Sequence, residues 1–189
     1  MAIKHKDIAA IREDYTKFAL SENALDKNPL RQFEIWFRQA VQAEVMEPNA
    51  MVLGTVTKDG FPRSRIVLMK DINEDGLSFF TNYESAKSIA IENNPKVSVL
   101  FFWPELQRQV CIEAYAEKLG DEASTEYFQS RPRDSQVGAW SSPQSKVISD
   151  RTILEERVEA IKKQYEGVDV LPRPDFWGGF LLKPVKFEF

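Results

Sequence analysis

A β-hairpin is indicated by residues 50–70, which read Ala50-Met-Val-Leu-Gly-Thr-Val-Thr-Lys-Asp-Gly-Phe-Pro-Arg-Ser-Arg-Ile-Val-Leu-Met-Lys70. Its first half, Ala50–Thr57, combines apolar and β-branched residues as strands do. Lys58-Asp59-Gly60 supplies the turn, because glycine tolerates the positive φ of tight hairpins. The chain then returns as a second strand over Arg63–Lys70, so the segment predicts antiparallel pairing.

The sequence on either side continues this β-rich pattern. Further strands are predicted over four segments: Leu77–Asn82, Lys96–Trp103, Gln107–Lys118 and Gly179–Phe189. In Gln107–Lys118 apolar and more polar residues alternate, which indicates one buried face. Short strands linked by hairpins, with helices inserted between them, favour an antiparallel barrel. We therefore expect a mainly β, α+β fold that forms a single domain over residues 1–189.

Helical spacing of apolar residues predicts the helices. One is expected over residues 6–15, and a second begins at Pro29 with Asn28 as its N-cap. The remaining predicted helices cover Ser85–Asn93, Asp121–Gln129 and about 150–165, the last capped by Ser149. No helix is predicted between Gln129 and Ser149.

Composition restricts the class of protein. The net charge of −4 argues against general nucleic-acid binding, which requires a basic surface. The single cysteine, Cys111, permits no internal disulfide and fits a reducing compartment. No apolar run approaches the roughly 20 residues of a membrane span, and the N-terminus lacks the apolar core of a signal peptide. We expect a soluble cytoplasmic protein that binds neither nucleic acid nor membrane.

Histidine is nearly absent from the sequence. His5 is the only one, and it lies in an N-terminal segment, residues 1–20, that we expect to be partly flexible. A histidine-based catalytic triad or metal site is therefore not expected. If the chain is an enzyme, a cofactor carries its chemistry.

Cations accumulate on the second strand of the hairpin, at Arg63, Arg65 and Lys70. One interpretation is a solvated polar face. The apolar run Ile66–Leu68 between them instead suggests a strand buried on both sides, whose flanking cations bind an anion. Strict alternation puts Arg65 and Lys70 on opposite faces, so one shared site requires a bulge or a position for Lys70 beyond the strand end.

Two later segments suggest further anion contacts. Thr81, Ser85 and Lys87 occupy a strand-to-helix junction, where helix amides favour phosphate, although Ser85 alone is also a plausible cap. Arg131, Arg133 and Ser135 follow the helix that carries Tyr127, and their alternative interpretation is a surface loop. Gln144 and Ser145, beyond Trp140, have the hydrogen-bonding groups to contact a heterocycle.

The order and spacing of several motifs resemble the pyridoxamine 5′-phosphate oxidase family from Arg12 to Phe189. The matching motifs are Arg65-Ile-Val-Leu-Met-Lys70, Phe80-Thr-Asn82, Arg108-Gln-Val110, Arg131-Pro-Arg-Asp-Ser-Gln-Val-Gly-Ala-Trp140, Gln144-Ser145 and Phe176-Trp-Gly-Gly179. The resemblance implies an antiparallel split β-barrel of the FMN-binding type. It also implies a homodimer that holds FMN at the subunit interface.

The resemblance assigns residues to the two ligands. The implied FMN contacts are Arg65, Ile66, Val67, Leu68, Lys70, Phe80, Thr81, Lys87, Gln109, Gln144 and Ser145. The implied contacts to a small phosphorylated pyridine substrate are Arg12, Tyr15, Lys70, Tyr127, Arg131 and Ser135. Lys70 and Arg131 are expected to position the substrate, and no residue is assigned the chemical step itself.

The implied reaction oxidises pyridoxamine or pyridoxine 5′-phosphate to pyridoxal 5′-phosphate, with oxygen as acceptor and hydrogen peroxide as product. Two alternatives are a flavin-binding relative that acts on another small ring compound and a flavin- or pyridoxal-phosphate-binding protein without turnover. Two departures from the family motivate them. Ala86 stands where an arginine is common, and the family usually continues past Phe189 with a tryptophan and an Arg-, His- and Asp-containing segment. We therefore expect a shortened chain or a divergent relative.

Overall fold

The structure is a computed structural model and describes residues 20–189. These residues form seven strands: β1 Ala50–Val56, β2 Pro62–Leu68, β3 Asp71–Asn73, β4 Gly76–Asn82, β5 Lys96–Trp103, β6 Arg108–Lys118 and β7 Trp177–Glu188. They also form five α-helices: α1 Pro29–Gln42, α2 Ala86–Asn93, α3 Asp121–Ser130, α4 Arg133–Ser141 and α5 Thr152–Gln164. The helix predicted over residues 6–15 lies outside the described residues.

The seven strands form one sheet in the order β2-β1-β5-β6-β7-β4-β3. Strand β1 pairs antiparallel with β2 and β5, and β7 pairs antiparallel with β4 and β6. The predicted hairpin is confirmed, with Ala50 opposite Leu68 and Gly60 at a φ of 87° in the turn. The antiparallel, mainly β fold is therefore the predicted one.

The described chain divides into two compact units. One contains the residues up to Pro48 together with Phe102–Gln109, and the other contains Asn49–Phe101 together with Val110–Phe189. The expectation of a single domain over residues 1–189 stays a prediction.

In the smaller unit, helix α1 begins as predicted. The side chain of Asn28 accepts hydrogen bonds from the amides of Leu30 and Arg31, which satisfies donors that the first helical turn leaves free. Phe33 of this helix packs against Trp103 at a ring separation of 6.1 Å. The Trp103 indole N–H donates to the Pro48 carbonyl at 3.0 Å, so this aromatic pair also fixes the end of the loop after α1.

The larger unit has its core along the sheet. The alternation predicted for β6 is confirmed, because Val110, Ile112, Ala114 and Ala116 are all buried. Phe79 of β4 stacks on Phe180 of β7 at 5.5 Å, and both side chains are inaccessible to solvent. A second apolar cluster, made of Phe128, Val137, Leu171 and Trp177, packs beneath the helices.

Two helix predictions were wrong. Residues 133–141 form α4, although no helix was predicted there, because Gly138 and the polar residues of its first turn give a weak apolar pattern. Ser149 does not cap the last helix. That helix begins at Thr152, and the Asp150 carboxylate accepts its amide at 2.7 Å.

Strand β2 also differs from its prediction. It was expected to be buried on both sides, but it stands at the edge of the sheet and the Ile66 side chain is 62% exposed. The strand ends at Leu68, so Lys70 lies beyond it. This is one of the two arrangements that allow Arg65 and Lys70 to serve the same site.

Among residues 20–189, no helix has the length and apolar character needed to cross a bilayer.

Replacing Phe180 with alanine is expected to lower the free energy of unfolding by about 3–5 kcal/mol, because it opens a cavity beside Phe79 in the core. Phe61→Ala is the matched control, since Phe61 is 65% exposed in the hairpin turn. Its expected effect is within about 0.5 kcal/mol. Chemical denaturation of both variants provides the comparison, and equal losses would contradict the assigned core.

Candidate active site

A cavity of about 630 Å³ opens in the larger unit. It is lined by eleven of the residues that the sequence singled out: Ile66, Val67, Leu68, Lys70, Phe80, Thr81, Lys87, Tyr127, Arg131, Ser135 and Gln144. These side chains come from β2 and the residues just after it, from β4, from helices α2, α3 and α4, and from the segments that follow α3 and α4. The cavity therefore joins segments that lie far apart in the sequence.

Backbone pairing explains why these elements meet. Beyond the end of β2, the Lys70 amide donates to the Ser78 carbonyl of β4 at 2.8 Å. Strand β4 in turn pairs with β7, so that Thr81 lies opposite Gly178. At Gly178 a β-carbon would lie 2.2 Å from the Tyr83 hydroxyl oxygen, so the close approach of these segments requires glycine.

Lys87, in the first turn of α2, is a buried cation with neutral partners. Its ammonium donates to the Thr81 hydroxyl at 2.9 Å, to the Ser85 hydroxyl at 3.1 Å and to the Gln144 side-chain oxygen at 3.0 Å. No carboxylate among the described residues forms an ion pair with it. A buried charge without a counter-charge is unfavourable, so this arrangement suits an anionic ligand.

The environment of Lys87 also changes its ionisation. Burial, reinforced by the nearby positive charge of Arg65, lowers the pKa of Lys87 from 10.5 to about 8. A bound phosphate would oppose both effects, because it supplies the missing negative charge. Ser85 precedes α2 but its side chain forms no capping bond, so the interpretation of Ser85 as a plain cap does not hold.

Arg131, just beyond α3, is the second partly buried cation of the cavity. Its guanidinium carbon lies 4.6 Å from the centre of the Trp177 ring and 5.8 Å from that of Phe128. One terminal nitrogen, Nη1, is buried and has no hydrogen-bond partner. Burial lowers the pKa of Arg131, because removal from water disfavours the charged guanidinium.

Three aromatic rings form a wall of the cavity. Phe80 stacks on Tyr127 at 3.9 Å, and Trp177 lies nearly parallel to both, at 5.7 Å from Phe80 and 6.2 Å from Tyr127. Together with Ile66, Val67 and Leu68 they provide flat apolar surface beside the two cations. Such a surface suits a planar ring compound.

Several predicted residues do not line this cavity. The Arg65 guanidinium donates to the Leu53 carbonyl at 3.0 Å and to the Thr55 hydroxyl at 2.7 Å. Arg133, expected among the anion-binding residues, instead donates to the Val168 and Tyr165 carbonyls near the end of α5. Ser145 is exposed and has a φ of 68°.

Three further predicted contacts are untested by this geometry. Gln109 belongs to the smaller unit, and its role stays a prediction. Arg12 and Tyr15 lie outside the described residues.

Other cavity residues were not assigned to the site from sequence: Asn82, Pro132, Gly138, Ala139, Ser142 and Trp177. Trp177 is the most informative of them, because its ring contacts the Arg131 guanidinium. Its position after the Arg173-Pro174 loop, within the Trp-Gly-Gly motif, was the available signal. The contact with Arg131 that makes it part of the site exists only in the folded chain.

The antiparallel sheet and this cationic, ring-lined cavity are typical of a split-barrel protein with a site that suits phosphorylated ring compounds. The sequence model of the pyridoxamine 5′-phosphate oxidase family matches residues 37–165. The chain is 50% identical to a pyridoxine/pyridoxamine 5′-phosphate oxidase of Crocosphaera subtropica, over 97% of this chain and 85% of the relative. It is 49% identical to the Haemophilus ducreyi protein of the same name, over 97% and 86%. The chain belongs to the pyridoxamine 5′-phosphate oxidase family.

Solved structures agree with the fold. PhzG from Burkholderia lata 383, in complex with tetrahydrophenazine-1-carboxylic acid, aligns with a TM-score of 0.83 and 26% identity, over 90% of this chain and 84% of that chain. A pyridoxamine 5′-phosphate oxidase-related, FMN-binding protein from Nostoc punctiforme aligns with a TM-score of 0.66 and 19% identity, over 86% and 84%.

These similarities confirm the predicted split barrel. The chain is an oxidoreductase of this family with FMN as its cofactor, which the Lys87 environment suits.

The affinity for FMN is expected to fall as the pH rises above about 8. Below that pH Lys87 is protonated, and above about pH 6 a phosphate carries its second negative charge, so binding should be tightest between these values. At higher pH the affinity should fall by up to about tenfold per pH unit, because binding then requires uptake of a proton. Flavin fluorescence titration from pH 6 to 10 measures this dependence.

Lys87→Arg should preserve FMN binding between pH 8 and 10, since a guanidinium stays charged there. The control is Lys162→Arg, at an exposed lysine of α5 that pairs with Glu159, and it should leave the pH profile unchanged. A dissociation constant that does not vary in the wild-type protein would show that Lys87 does not bind the phosphate.

Proposed function

We propose that this protein oxidises pyridoxamine 5′-phosphate and pyridoxine 5′-phosphate to pyridoxal 5′-phosphate, with oxygen as acceptor and hydrogen peroxide as product. One observation carries the proposal. A single cavity contains two poorly solvated cations, Lys87 and Arg131, which have different neighbours. The same cavity also has a flat apolar surface. This composition suits two phosphorylated ring compounds held together.

Lys87 is the proposed partner of the cofactor phosphate. Its three hydrogen-bonding neighbours, Thr81, Ser85 and Gln144, carry hydroxyl or amide groups that can also bind phosphate oxygens. Arg65 adds positive charge nearby. Ile66, Val67, Leu68 and Phe80 provide the apolar surface for the flavin ring. Gln109 and Ser145 keep their proposed contacts with the cofactor.

Arg131 is the proposed partner of the substrate phosphate. Its buried Nη1 has an unused donor, and Tyr127 and Ser135 place hydroxyl groups on the same cavity. A guanidinium binds phosphate through two parallel hydrogen bonds, which fixes orientation as well as position. Lys70, exposed at the same cavity, supplies a further cation, and Arg12 and Tyr15 are proposed to complete this subsite.

In this mechanism the chain acts by positioning. When bound, FMN would supply the two-electron redox chemistry between the substrate and oxygen. Lys87 and Arg131 anchor the two phosphates, while the aromatic wall limits how the rings tilt. Correct alignment of two bound reactants can contribute several kcal/mol to lowering the barrier, roughly 7–11 kcal/mol in well-oriented systems.

A homodimer is part of the proposal. Ile66 lines the cavity and yet is 62% exposed, on an edge strand whose outer side no other strand of the described residues covers. A second copy of the chain would cover this side and shield the flavin from water. The proposed location is the cytoplasm, a reducing compartment that the single cysteine fits.

A second candidate is oxidation of another small ring compound. The similarity to PhzG, whose structure contains tetrahydrophenazine-1-carboxylic acid, favours it, and so does the neutral Ala86 beside Lys87. Turnover of phosphorylated and unphosphorylated substrates separates the two candidates. A chain that binds flavin but turns over no vitamer would instead be a binding protein.

Anaerobic addition of pyridoxamine 5′-phosphate to the FMN-loaded protein is expected to bleach the flavin absorbance, because the substrate reduces the cofactor. Admission of oxygen should restore the colour and release hydrogen peroxide. Absorbance spectroscopy and a peroxide assay follow the two steps. A spectrum that stays oxidised with every B6 vitamer would refute the proposed reaction.

Arg131→Ala is expected to raise the KM for pyridoxine 5′-phosphate by about 10- to 100-fold, which corresponds to loss of a charge-assisted hydrogen bond of roughly 1.5–3 kcal/mol. FMN should remain bound, because Lys87 holds the cofactor. Arg133→Ala is the matched control, since Arg133 caps carbonyls near the end of α5 instead of lining the cavity. Steady-state kinetics of both variants make the comparison. Equal changes in KM for the two variants would show that Arg131 does not bind the substrate phosphate.

A further inference from the structure

The Arg131 side chain is held by rings. Its guanidinium carbon lies 4.6 Å from the Trp177 ring centre, and its buried Nη1 forms no hydrogen bond with the described residues. A cation above an aromatic face is attracted by the negative charge of that face. Because this contact is made with a ring face and not with a hydrogen-bond acceptor, it uses none of the guanidinium N–H donors.

Trp177 itself is fixed at the start of β7. Its backbone N–H donates to the Pro174 carbonyl at 3.0 Å, and its carbonyl accepts from Arg173 Nη1 at 2.5 Å. Arg173 also donates to the Thr125 hydroxyl at 3.0 Å and pairs with Asp121. Both of these partners lie on α3, the helix that ends just before Arg131.

This arrangement joins Trp177 and Arg131 through the same helix. Arg173 ties the backbone of Trp177 to the first half of α3, and Arg131 follows the last residue of α3. The Arg131 carbonyl also accepts a hydrogen bond from the Gln136 side chain at 2.7 Å, which fixes the backbone there. The backbone positions that carry the ring and the guanidinium are therefore both anchored around α3.

We propose that Trp177 is a positioning residue for Arg131 and thereby sets the preference of the site for phosphorylated rings. This inference rests on the proposed function, in which Arg131 binds the substrate phosphate. A carboxylate in place of the ring would hold Arg131 equally well, but it would neutralise the charge and occupy its donors. The indole face restrains the guanidinium and leaves its positive charge and its hydrogen-bond donors available to the ligand.

The test compares Trp177→Leu with Trp177→Phe in the FMN-loaded protein. The leucine variant keeps apolar bulk but removes the aromatic face, and it should raise the KM for pyridoxine 5′-phosphate roughly 2- to 30-fold. The phenylalanine variant keeps an aromatic face and should restore most of the affinity. Binding of unphosphorylated pyridoxal measures any loss of ring contact with the aromatic wall, so the ratio of the dissociation constants for pyridoxal and pyridoxal 5′-phosphate isolates the effect on the phosphate.

Trp140→Leu is the matched control. Trp140 packs in the same apolar cluster and donates to the Pro172 carbonyl, but it does not line the cavity. Its loss should lower stability without changing the ratio of the dissociation constants for pyridoxal and pyridoxal 5′-phosphate. An equal change in that ratio for the Trp140 and Trp177 leucine variants would overturn the inference.

A double substitution separates positioning from a structural role. In an Arg131→Ala background, Trp177→Leu should cause no further loss of phosphate preference, because the residue through which it acts is gone. A further loss as large as that in the wild-type background would overturn the inference. Measuring dissociation constants for pyridoxal 5′-phosphate and pyridoxal keeps this test independent of turnover.

The two proposals can fail separately. A wild-type protein that oxidises no vitamer but prefers pyridoxal 5′-phosphate, with that preference reduced by Trp177→Leu, refutes the proposed reaction and supports the role of Trp177. Should the leucine variant not fold, the wild-type NMR spectrum decides. Arg131 side-chain protons shifted upfield by the indole ring current support the contact, and unshifted protons overturn it.

Discussion

Burial of the Lys87 ammonium without an acidic partner among residues 20–189 is the constraint on which the site depends. Moving a charge away from water is costly, and the usual compensation is an ion pair. Here the compensation consists of three neutral oxygens, from Thr81, Ser85 and Gln144, and a pKa lowered to about 8. The folded chain therefore contains a buried positive charge that a bound phosphate can neutralise. Burial of Lys87 thus both limits its solvation and favours binding of a phosphorylated cofactor.

Arg131 is also a partly buried cation of the cavity, but its neighbours are of a different kind. Where Lys87 has hydrogen-bonding neighbours, Arg131 has aromatic ones, and its Nη1 remains unpaired in a buried position. The difference fits the roles proposed for the two residues. A resident cofactor needs a stable set of polar contacts, whereas a substrate that exchanges in every turnover benefits from donors that are already oriented and free.

The antiparallel sheet brings these two environments together. Pairing of β4 with β7 places Thr81 opposite Gly178, next to Trp177, so one strand pair contributes to the surroundings of both cations. Glycine at position 178 allows the contact with Tyr83, and Arg173 secures the loop that leads into β7. The stability of the sheet and the geometry of the cavity are therefore not independent. A cavity that the sheet builds around two cations agrees with the membership of the chain in the pyridoxamine 5′-phosphate oxidase family.

The sequence by itself determined the local elements and the chemical types in the site. The turn at Gly60, the cap at Asn28 and the alternation in β6 depend on neighbouring residues, so they were predictable, as were the cavity cations Lys87 and Arg131. Helix α4 was not predicted because its apolar pattern is weak. The exposure of β2 was not predicted because the position of a strand at a sheet edge depends on strands that are distant in sequence. Only the tertiary structure decided that Arg133 caps α5 while Arg131 faces the cavity, and that Trp177 lies beneath Arg131. These assignments depend on contacts between segments up to about 50 residues apart, which no local pattern encodes.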